Sequence, residues 1–213
     1  MSAARKLFSN SVLSIAAKFL NAFLQIICLP VLLKVYGKEG YGLISIAMSF
    51  NMLISILQLG LPTGVPKFVA EWFAKKNHKV MQRATSSVFS FYLVLAFINF
   101  SLLLVIRCFF IDYFKISPAE IGVFRELLLI TAIVSFISIP YNYLEQLLSG
   151  VQEIAFNAKM QMIKNVLFAC LVFFVSFKPH SITLVQFYAL NCFTMIAVIP
   201  WQVLRWLKYG SIK

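Results

Sequence analysis

The chain has 213 residues, of which 61% are hydrophobic and 12% are charged. Soluble domains carry about 25% charged residues, so the composition excludes a water-soluble globule and a disordered chain, and it leaves no room for a soluble catalytic domain. The net charge of +12 would suggest nucleic acid in a soluble protein. In a membrane protein it indicates cytoplasmic loops rich in Lys and Arg, which favour anionic membrane lipids. We therefore expect no nucleic-acid partner.

Six apolar stretches follow one another along the chain, each long enough to form a helix that crosses a bilayer. We predict an all-α integral membrane protein with one transmembrane domain over residues 1–213 and spans at 11–35, 41–65, 85–106, 123–143, 161–177 and 182–204. The first stretch contains polar residues and ends without a small-x-small cleavage site, so it is expected to be a retained span. Residues 67–83 form either a short helix on the membrane surface or a solvated basic loop.

The distribution of Lys and Arg predicts that both termini face the cytoplasm. With that orientation, the inner segments hold twice as many of these residues as the outer ones, as the positive-inside rule requires. Trp72, Trp201 and Trp206 then fall near the inner interface, where aromatic side chains concentrate.

Polar residues recur inside the spans at helical spacing. The fourth span carries Thr131, Ser135, Ser138, Asn142 and Glu145 at steps of three and four residues, which places them on one helical face. Similar stripes are Lys18, Asn21 and Gln25 in the first span, Asn51, Ser55 and Gln58 in the second, and Asn157, Gln161, Lys164 and Asn165 in the fifth. Because lipid cannot hydrogen-bond these groups, they predict a hydrated central cavity.

Two simpler interpretations remain open for these stripes. The Ser and Thr side chains are expected to hydrogen-bond across helices rather than to line a cavity. Lys18 faces either the cavity or the cytoplasmic interface, which its long side chain can reach.

Neither an enzyme nor a bound metal or cofactor is expected. The four cysteines are scattered, the seven acidic residues cluster at span ends and in loops, and the two histidines lie in loops. No metalloprotease, nucleophile-elbow or P-loop motif occurs.

Four short sequences occur in an order that is known from one class of transporters. They are the opening helix with Lys18, Asn21, Gln25 and Pro30, the turn from Tyr36 to Gly42, Leu59-Gly60-Leu61 followed by Val65-Pro66-Lys67-Phe68-Val69-Ala70-Glu71, and Leu148-Ser149-Gly150-Val151-Gln152. With these sequences the chain resembles the oligosaccharide-lipid flippases, the Wzx-type polysaccharide exporters of the superfamily that includes the multidrug and toxic compound extrusion transporters. In the turn, Gly37 is expected to end a helix in the left-handed conformation.

The resemblance implies a six-helix lobe, the amino-terminal one of two that face each other across a cavity. It implies the flipping, by alternating access, of an isoprenoid-linked oligosaccharide of the undecaprenyl-pyrophosphate type across the bacterial inner membrane in polysaccharide or O-antigen biosynthesis. Cationic residues would face the anionic pyrophosphate, a role that Lys18 matches best. Together with the polar stripes, it gives these candidate substrate-binding residues: Lys18, Asn21, Gln25, Asn51, Gln58, Ser135, Asn142, Lys159 and Lys164.

The resemblance covers only the first lobe of such transporters. We therefore expect a truncated product or a fragment that lacks the carboxyl-terminal lobe, with pairing of two copies as the alternative. Two other functions remain open. One is a lobe of a multidrug exporter, for which Glu145 is the fair candidate to bind a cation, and the other is a membrane scaffold for glycan-assembly enzymes that transports nothing.

Overall fold

The computed structural model describes residues 3–58, 60–114, 116–178 and 181–210, and of residues 3–11, 51–57, 78, 112 and 210 it describes the backbone alone. Within these ranges the chain is helical and contains no strand, which confirms the predicted all-α class. The helices are α1 (Ala3–Leu57), α2 (Leu61–Ala74), α3 (His78–Val105), α4 (Ile121–Gly150), α5 (Ile154–Phe177), α6 (Leu184–Ile196) and α7 (Ile199–Gly210). A π-helical turn, Ile106–Phe110, and a 3-10 turn, Ile111–Phe114, follow α3 directly.

Five segments of the described chain are long and apolar enough to cross a membrane. They are Val12–Phe50, Lys79–Phe110, Ile121–Gly150, Ile154–Phe177 and Leu184–Tyr209. The first has 39 residues, about 58 Å of helix at 1.5 Å per residue, which is roughly twice the thickness of the hydrocarbon core. This one segment therefore covers nearly all of the first predicted span, 11–35, and the start of the second, 41–65.

The chain reverses direction at Gly37, inside α1. Gly37 has φ 74° and ψ 173°, a non-helical conformation that glycine adopts without strain. Lys18, on the first arm of α1, and Gln58, directly after the second arm, line the same cleft, and an unbroken helix would hold them about 60 Å apart. The expected positive φ at Gly37 is confirmed, whereas Gly40 and Gly42 lie inside the second arm.

The second predicted span, 41–65, is wrong in its extent. The helix ends at Leu57, Gly60 takes φ 80°, and α2 begins at Leu61 with Pro62 in its first turn. Glycine supplies the left-handed residue that breaks the helix, and proline suits the start of a new one because its missing N–H is not needed there. Apolar length alone hid this break, since both sides of it are hydrophobic.

Residues 67–83 match neither interpretation fully. Residues 67–74 are helical, but α2 packs against α4 with Val65 and Val69 buried, so this helix is held by the bundle. α3 begins at His78, seven residues before the predicted start of the third span. Between α2 and α3, the amides of Lys76 and Asn77 bond back to the carbonyls of Phe73 and Trp72, and Lys76 has φ 55°. This pattern is a Schellman closure of a helix end.

The later spans are also longer than predicted. α4 runs to Gly150 rather than to 143, and α5 starts at Ile154 rather than at 161. The sixth span, 182–204, is divided into α6 and α7 with Pro200 near the start of α7. Arg205 Nη2 lies 2.9 Å from Glu153 Oε1, and the Tyr209 hydroxyl donates to the same oxygen, so α7 is fixed to the turn between α4 and α5.

α4 is the central helix of the bundle and contacts every other helix in the described chain. It contributes Leu127, Leu128 and Ala132 to a core shared with α1, α5 and α6. Its last turns contribute Tyr143 and Leu147 to a second core shared with α2 and α3. The outer surface remains apolar, with Phe19, Phe97, Phe177 and Leu204 exposed, as expected for helices that face lipid.

Candidate substrate cleft

A polar cleft of about 610 Å³ opens at one end of the bundle. It lies between the first arm of α1, the start of α2, the last turns of α4 and the start of α5. We call this the basic end, because the junction of α2 and α3 carries Lys67, Lys75, Lys76, Lys79 and Arg83. The polar side chains that line the cleft are Ser14, Lys18, Asn21, Gln58, Asn142, Glu145, Gln146, Ser149, Asn157 and Gln161.

Helical spacing brings these side chains to one place. α1 supplies residues 14, 18 and 21, α4 supplies 142, 145, 146 and 149, and α5 supplies 157 and 161. Steps of three, four and seven residues fall on one face of a helix. Each helix therefore turns a polar face toward the cleft and leaves its apolar faces for packing and for lipid.

Glu145 is the best-connected side chain of the cleft. Its Oε1 accepts hydrogen bonds from the Tyr141 hydroxyl at 2.9 Å, from Lys164 Nζ at 3.1 Å and from Gln202 Nε2 at 3.5 Å. Lys164 Nζ also lies 5.1 Å from the centre of the Tyr141 ring, within the range of a cation–π contact. The carboxylate is thus neutralised by Lys164 and held in one orientation.

Lys18 has no such partner. Its side chain is exposed in the cleft and makes no hydrogen bond or ion pair with any residue that the structure describes. Of the three charges in and beside the cleft, those of Lys164 and Glu145 compensate each other and that of Lys18 remains. The cleft therefore presents net positive charge, which attracts an anion.

A layer of amide and hydroxyl groups supports the inner end of the cleft. Asn157 Nδ2 donates to the backbone carbonyl of Glu145 at 2.8 Å and to Ser149 Oγ at 3.1 Å. Gln202, which is fully buried, donates from Nε2 to Asn157 Oδ1 at 3.3 Å. These bonds connect α4, α5 and α7, so they set the distance between the helices that carry the cleft residues.

Four of the nine predicted substrate-binding residues line the cleft: Lys18, Asn21, Gln58 and Asn142. Lys164 reaches it through Glu145. Gln25 lies one turn beyond Asn21 on α1 and donates to its Oδ1 at 3.3 Å.

Of the other three, the structure describes the side chains of two, and neither lines the cleft. Lys159 is exposed on α5 and does not line the cleft, and the side chain of Asn51 lies outside the described residues. Ser135 is only 1% exposed. Its hydroxyl accepts a hydrogen bond from Asn99 Nδ2 at 2.7 Å and donates to the carbonyl of Ala132 at 2.9 Å. Ser135 thus joins α3 to α4, as expected for a serine that bonds across helices.

Sequence reasoning missed Gln202, because α7 looked like the end of an ordinary span. The signal for it is a reversed amphipathic pattern. Trp201, Leu204 and Leu207 are exposed, while Gln202 is buried and Arg205 and Tyr209 bond to Glu153. A helix with an apolar outer face and a polar inner face is typical of a membrane protein with a hydrated interior.

The comparison with protein families decides the class. Residues 14–175 match the family model of MatE. The chain belongs to the MatE family. Members of this family are membrane transporters, which include multidrug transporters and lipid-linked oligosaccharide flippases. No curated protein and no solved structure gave a significant match to the chain.

The family and the fold agree with each other. Five helices that can span a membrane and a MatE match over most of the chain identify a multi-pass membrane protein of a transporter family. Every residue that lines the polar cleft, from Ser14 to Gln161, lies within the matched range. α6 and α7, with Gln202, lie beyond it.

Proposed function

We propose that the chain takes part in flipping an isoprenoid-pyrophosphate-linked oligosaccharide across the bacterial inner membrane, in polysaccharide or O-antigen biosynthesis. The observation that carries this proposal is the charge of the cleft. Glu145 is neutralised by Lys164, whereas Lys18 has no partner among the described residues. An unpaired cation in a membrane interior is costly unless it serves a ligand or water. A pyrophosphate is the anion that such a substrate carries.

The rest of the cleft suits the sugar. Asn21, Gln58 and Asn142 offer amide donors and acceptors of the kind that hydroxyl groups bind. The volume of about 610 Å³ lies within the range of about 300–1,000 Å³ that is usual for small-molecule sites. The sugar and the pyrophosphate would occupy the cleft while the isoprenoid chain stays in the bilayer.

Translocation then requires no chemical reaction by the chain, and we propose that it is not an enzyme. The polar head crosses by alternating access, with the cleft as one wall of the pathway. The opposite wall comes from a second lobe or from a second copy of the chain. In this arrangement both termini face the cytoplasm, and the basic end lies on that side of the membrane.

A flipping assay with charge variants tests the proposal. Proteoliposomes with a fluorescent isoprenoid-pyrophosphate oligosaccharide report its movement between leaflets. Lys18→Ala is expected to lower the rate at least about tenfold, since a hydrogen bond to a charged group is worth about 1.5–3 kcal/mol, and Lys18→Arg is expected to retain most of the rate. Lys34→Ala is the matched control, because Lys34 is an exposed lysine on the same helix outside the cleft. An unchanged rate in Lys18→Ala would remove the proposed role of this residue.

A multidrug exporter is the second candidate, because the cleft contains one carboxylate. Binding of a cationic drug there requires Glu145 to leave Lys164, Tyr141 and Gln202, its three present partners. The competing proposal predicts efflux of a cationic dye that is lost in Glu145→Gln. Dye efflux with that dependence, and no movement of the lipid-linked sugar, would favour this candidate over flipping.

A further inference from the structure

A second cleft, of about 420 Å³, lies between α3, α4 and α7 at the basic end. Its walls are mostly apolar and include Phe89, Ile137, Leu144, Ile199 and Trp206. At its base the Tyr143 hydroxyl donates to the backbone carbonyl of Thr85 at 2.6 Å, which fixes α3 against α4.

α4 separates this apolar cleft from the polar one. The α4 residues of the polar cleft are 142, 145, 146 and 149, and those at the centre of the apolar cleft are 140, 144 and 147. At 3.6 residues per turn these two sets point to opposite sides of the helix. The apolar cleft therefore lies on the opposite side of α4 from a head group in the polar cleft, and it is available to a second ligand.

The outer rim of the apolar cleft is polar and then basic. Gln82, Thr85 and Ser86 line it from α3. Lys79 precedes Gln82 by three residues, so it lies on the same face of α3 one turn nearer the end of the bundle. Arg83 lies beside it, and neither cation forms an ion pair with an acidic residue in the described part of the chain. Lys79 is also in the first turn of α3, at the positive end of the helix dipole.

We propose that the apolar cleft binds one anionic glycerophospholipid of the bilayer. An acyl chain lies between α3, α4 and α7 against Phe89, Leu144 and Trp206, and the phosphate lies at Lys79 and Arg83. The charge of the rim selects an anionic headgroup over a zwitterionic one. Both cations lie at one end of the candidate span Lys79–Phe110, whose 32 residues make a helix of about 48 Å. Because this is longer than the hydrocarbon core of about 30 Å, the end that carries the cations reaches the layer of lipid headgroups.

Two single-tryptophan proteins test this site. In Trp72→Phe/Trp201→Phe the remaining indole is that of Trp206, which lines the cleft. In the matched control, Trp72→Phe/Trp206→Phe, the remaining indole is that of Trp201, which is 59% exposed on the outer face of the same helix. Each protein is placed in phosphatidylcholine bilayers that contain brominated phosphatidylglycerol or brominated phosphatidylcholine over the same series of mole fractions, and quenching of fluorescence is measured at each.

We expect brominated phosphatidylglycerol to half-quench Trp206 at a mole fraction at least about threefold lower than brominated phosphatidylcholine, whereas Trp201 shows no such difference. Adding Lys79→Gln and Arg83→Gln to the Trp206 protein should abolish the difference. Lys34→Gln/Lys38→Gln, which changes the net charge equally at the other end of the bundle, should preserve it. Equal quenching of Trp206 by the two lipids would overturn the proposal, and so would an equal loss of preference in the Lys34/Lys38 variant, which would indicate attraction by net charge alone.

Discussion

Replacing Lys164 by Met removes the positive charge that faces Glu145 and keeps an unbranched side chain of similar length. The pair lies between α4 and α5, with the Lys164 side chain 13% exposed and the Glu145 side chain 30% exposed. Loss of one partner from a fully buried pair costs about 3–5 kcal/mol because the other charge is left uncompensated. Exposed pairs are worth about 0–1 kcal/mol.

The Glu145–Lys164 pair lies between these limits. Glu145 is partly exposed to the cleft and keeps the Tyr141 and Gln202 hydrogen bonds after the substitution. We therefore expect Lys164→Met to lower the free energy of unfolding by about 2 kcal/mol. For a chain of this size that corresponds to a fall in melting temperature of roughly 4–8 °C.

Thermal unfolding of the detergent-solubilised protein, followed by circular dichroism, measures this effect. The double variant Glu145→Gln/Lys164→Met should recover most of the loss, because no uncompensated charge remains. Lys75→Met is the matched control, since Lys75 and Glu71 are 2.6 Å apart but have side chains 67% and 46% exposed, and it should change the melting temperature far less. If Lys164→Met and Lys75→Met had equal effects, the Glu145–Lys164 pair would not hold α4 to α5 and the charge assignment of the cleft would be wrong.

Two further predictions concern the packing of α4. A Cβ on Gly150 would lie 2.7 Å from Val69 Cβ, so Gly150→Ala should destabilise the protein by about 1–3 kcal/mol through overpacking against α2. Gly122→Ala, in the first turns of the same helix with nothing within 4 Å of the added Cβ, should not destabilise it, and equal melting temperatures for the two variants would contradict the close approach of α2. The Thr131 hydroxyl donates to the carbonyl of Leu127 at 2.7 Å, so the Tyr188 hydroxyl, 2.8 Å away, is the donor to Thr131. Tyr188→Phe should therefore cost about 0.6–1 kcal/mol, and a melting temperature at or above that of the wild type would show that this buried bond contributes nothing.

The helical class and the reversal at Gly37 could be predicted from the sequence because both depend on local features. Apolar length predicts a spanning helix, and a glycine within Tyr36–Gly42 predicts a positive φ. The break at Gly60 was hidden because apolar residues continue on both sides of it. What ends the helix there is the backbone conformation of one residue, which hydropathy does not report.

The polar stripe of α4 shows what spacing can and cannot predict. Its members do lie on one face, but they differ in depth along the helix. Thr131 and Ser135 are buried against Tyr188 and Asn99, whereas Asn142 and Glu145 reach the cleft. The difference depends on which helices pack against each turn of α4, which is a property of tertiary packing. The same applies to Gln202, whose role appears only once α7 is seen to pack against α4, with Gln202 bonded to Asn157 at the start of α5.

The affinity of the purified protein for three amphiphiles of equal chain length tests the central claim most directly. These are a short polyprenyl pyrophosphate, the uncharged polyprenol and a quaternary ammonium analogue, titrated into the protein in detergent. With Lys18 unpaired and Glu145 neutralised, the pyrophosphate should bind at least about tenfold more tightly than the alcohol, because a charged hydrogen bond is worth about 1.5–3 kcal/mol. Lys18→Ala should erase that preference and Lys34→Ala should keep it. Tightest binding of the cationic analogue, or a preference for pyrophosphate that survives Lys18→Ala, would contradict the account.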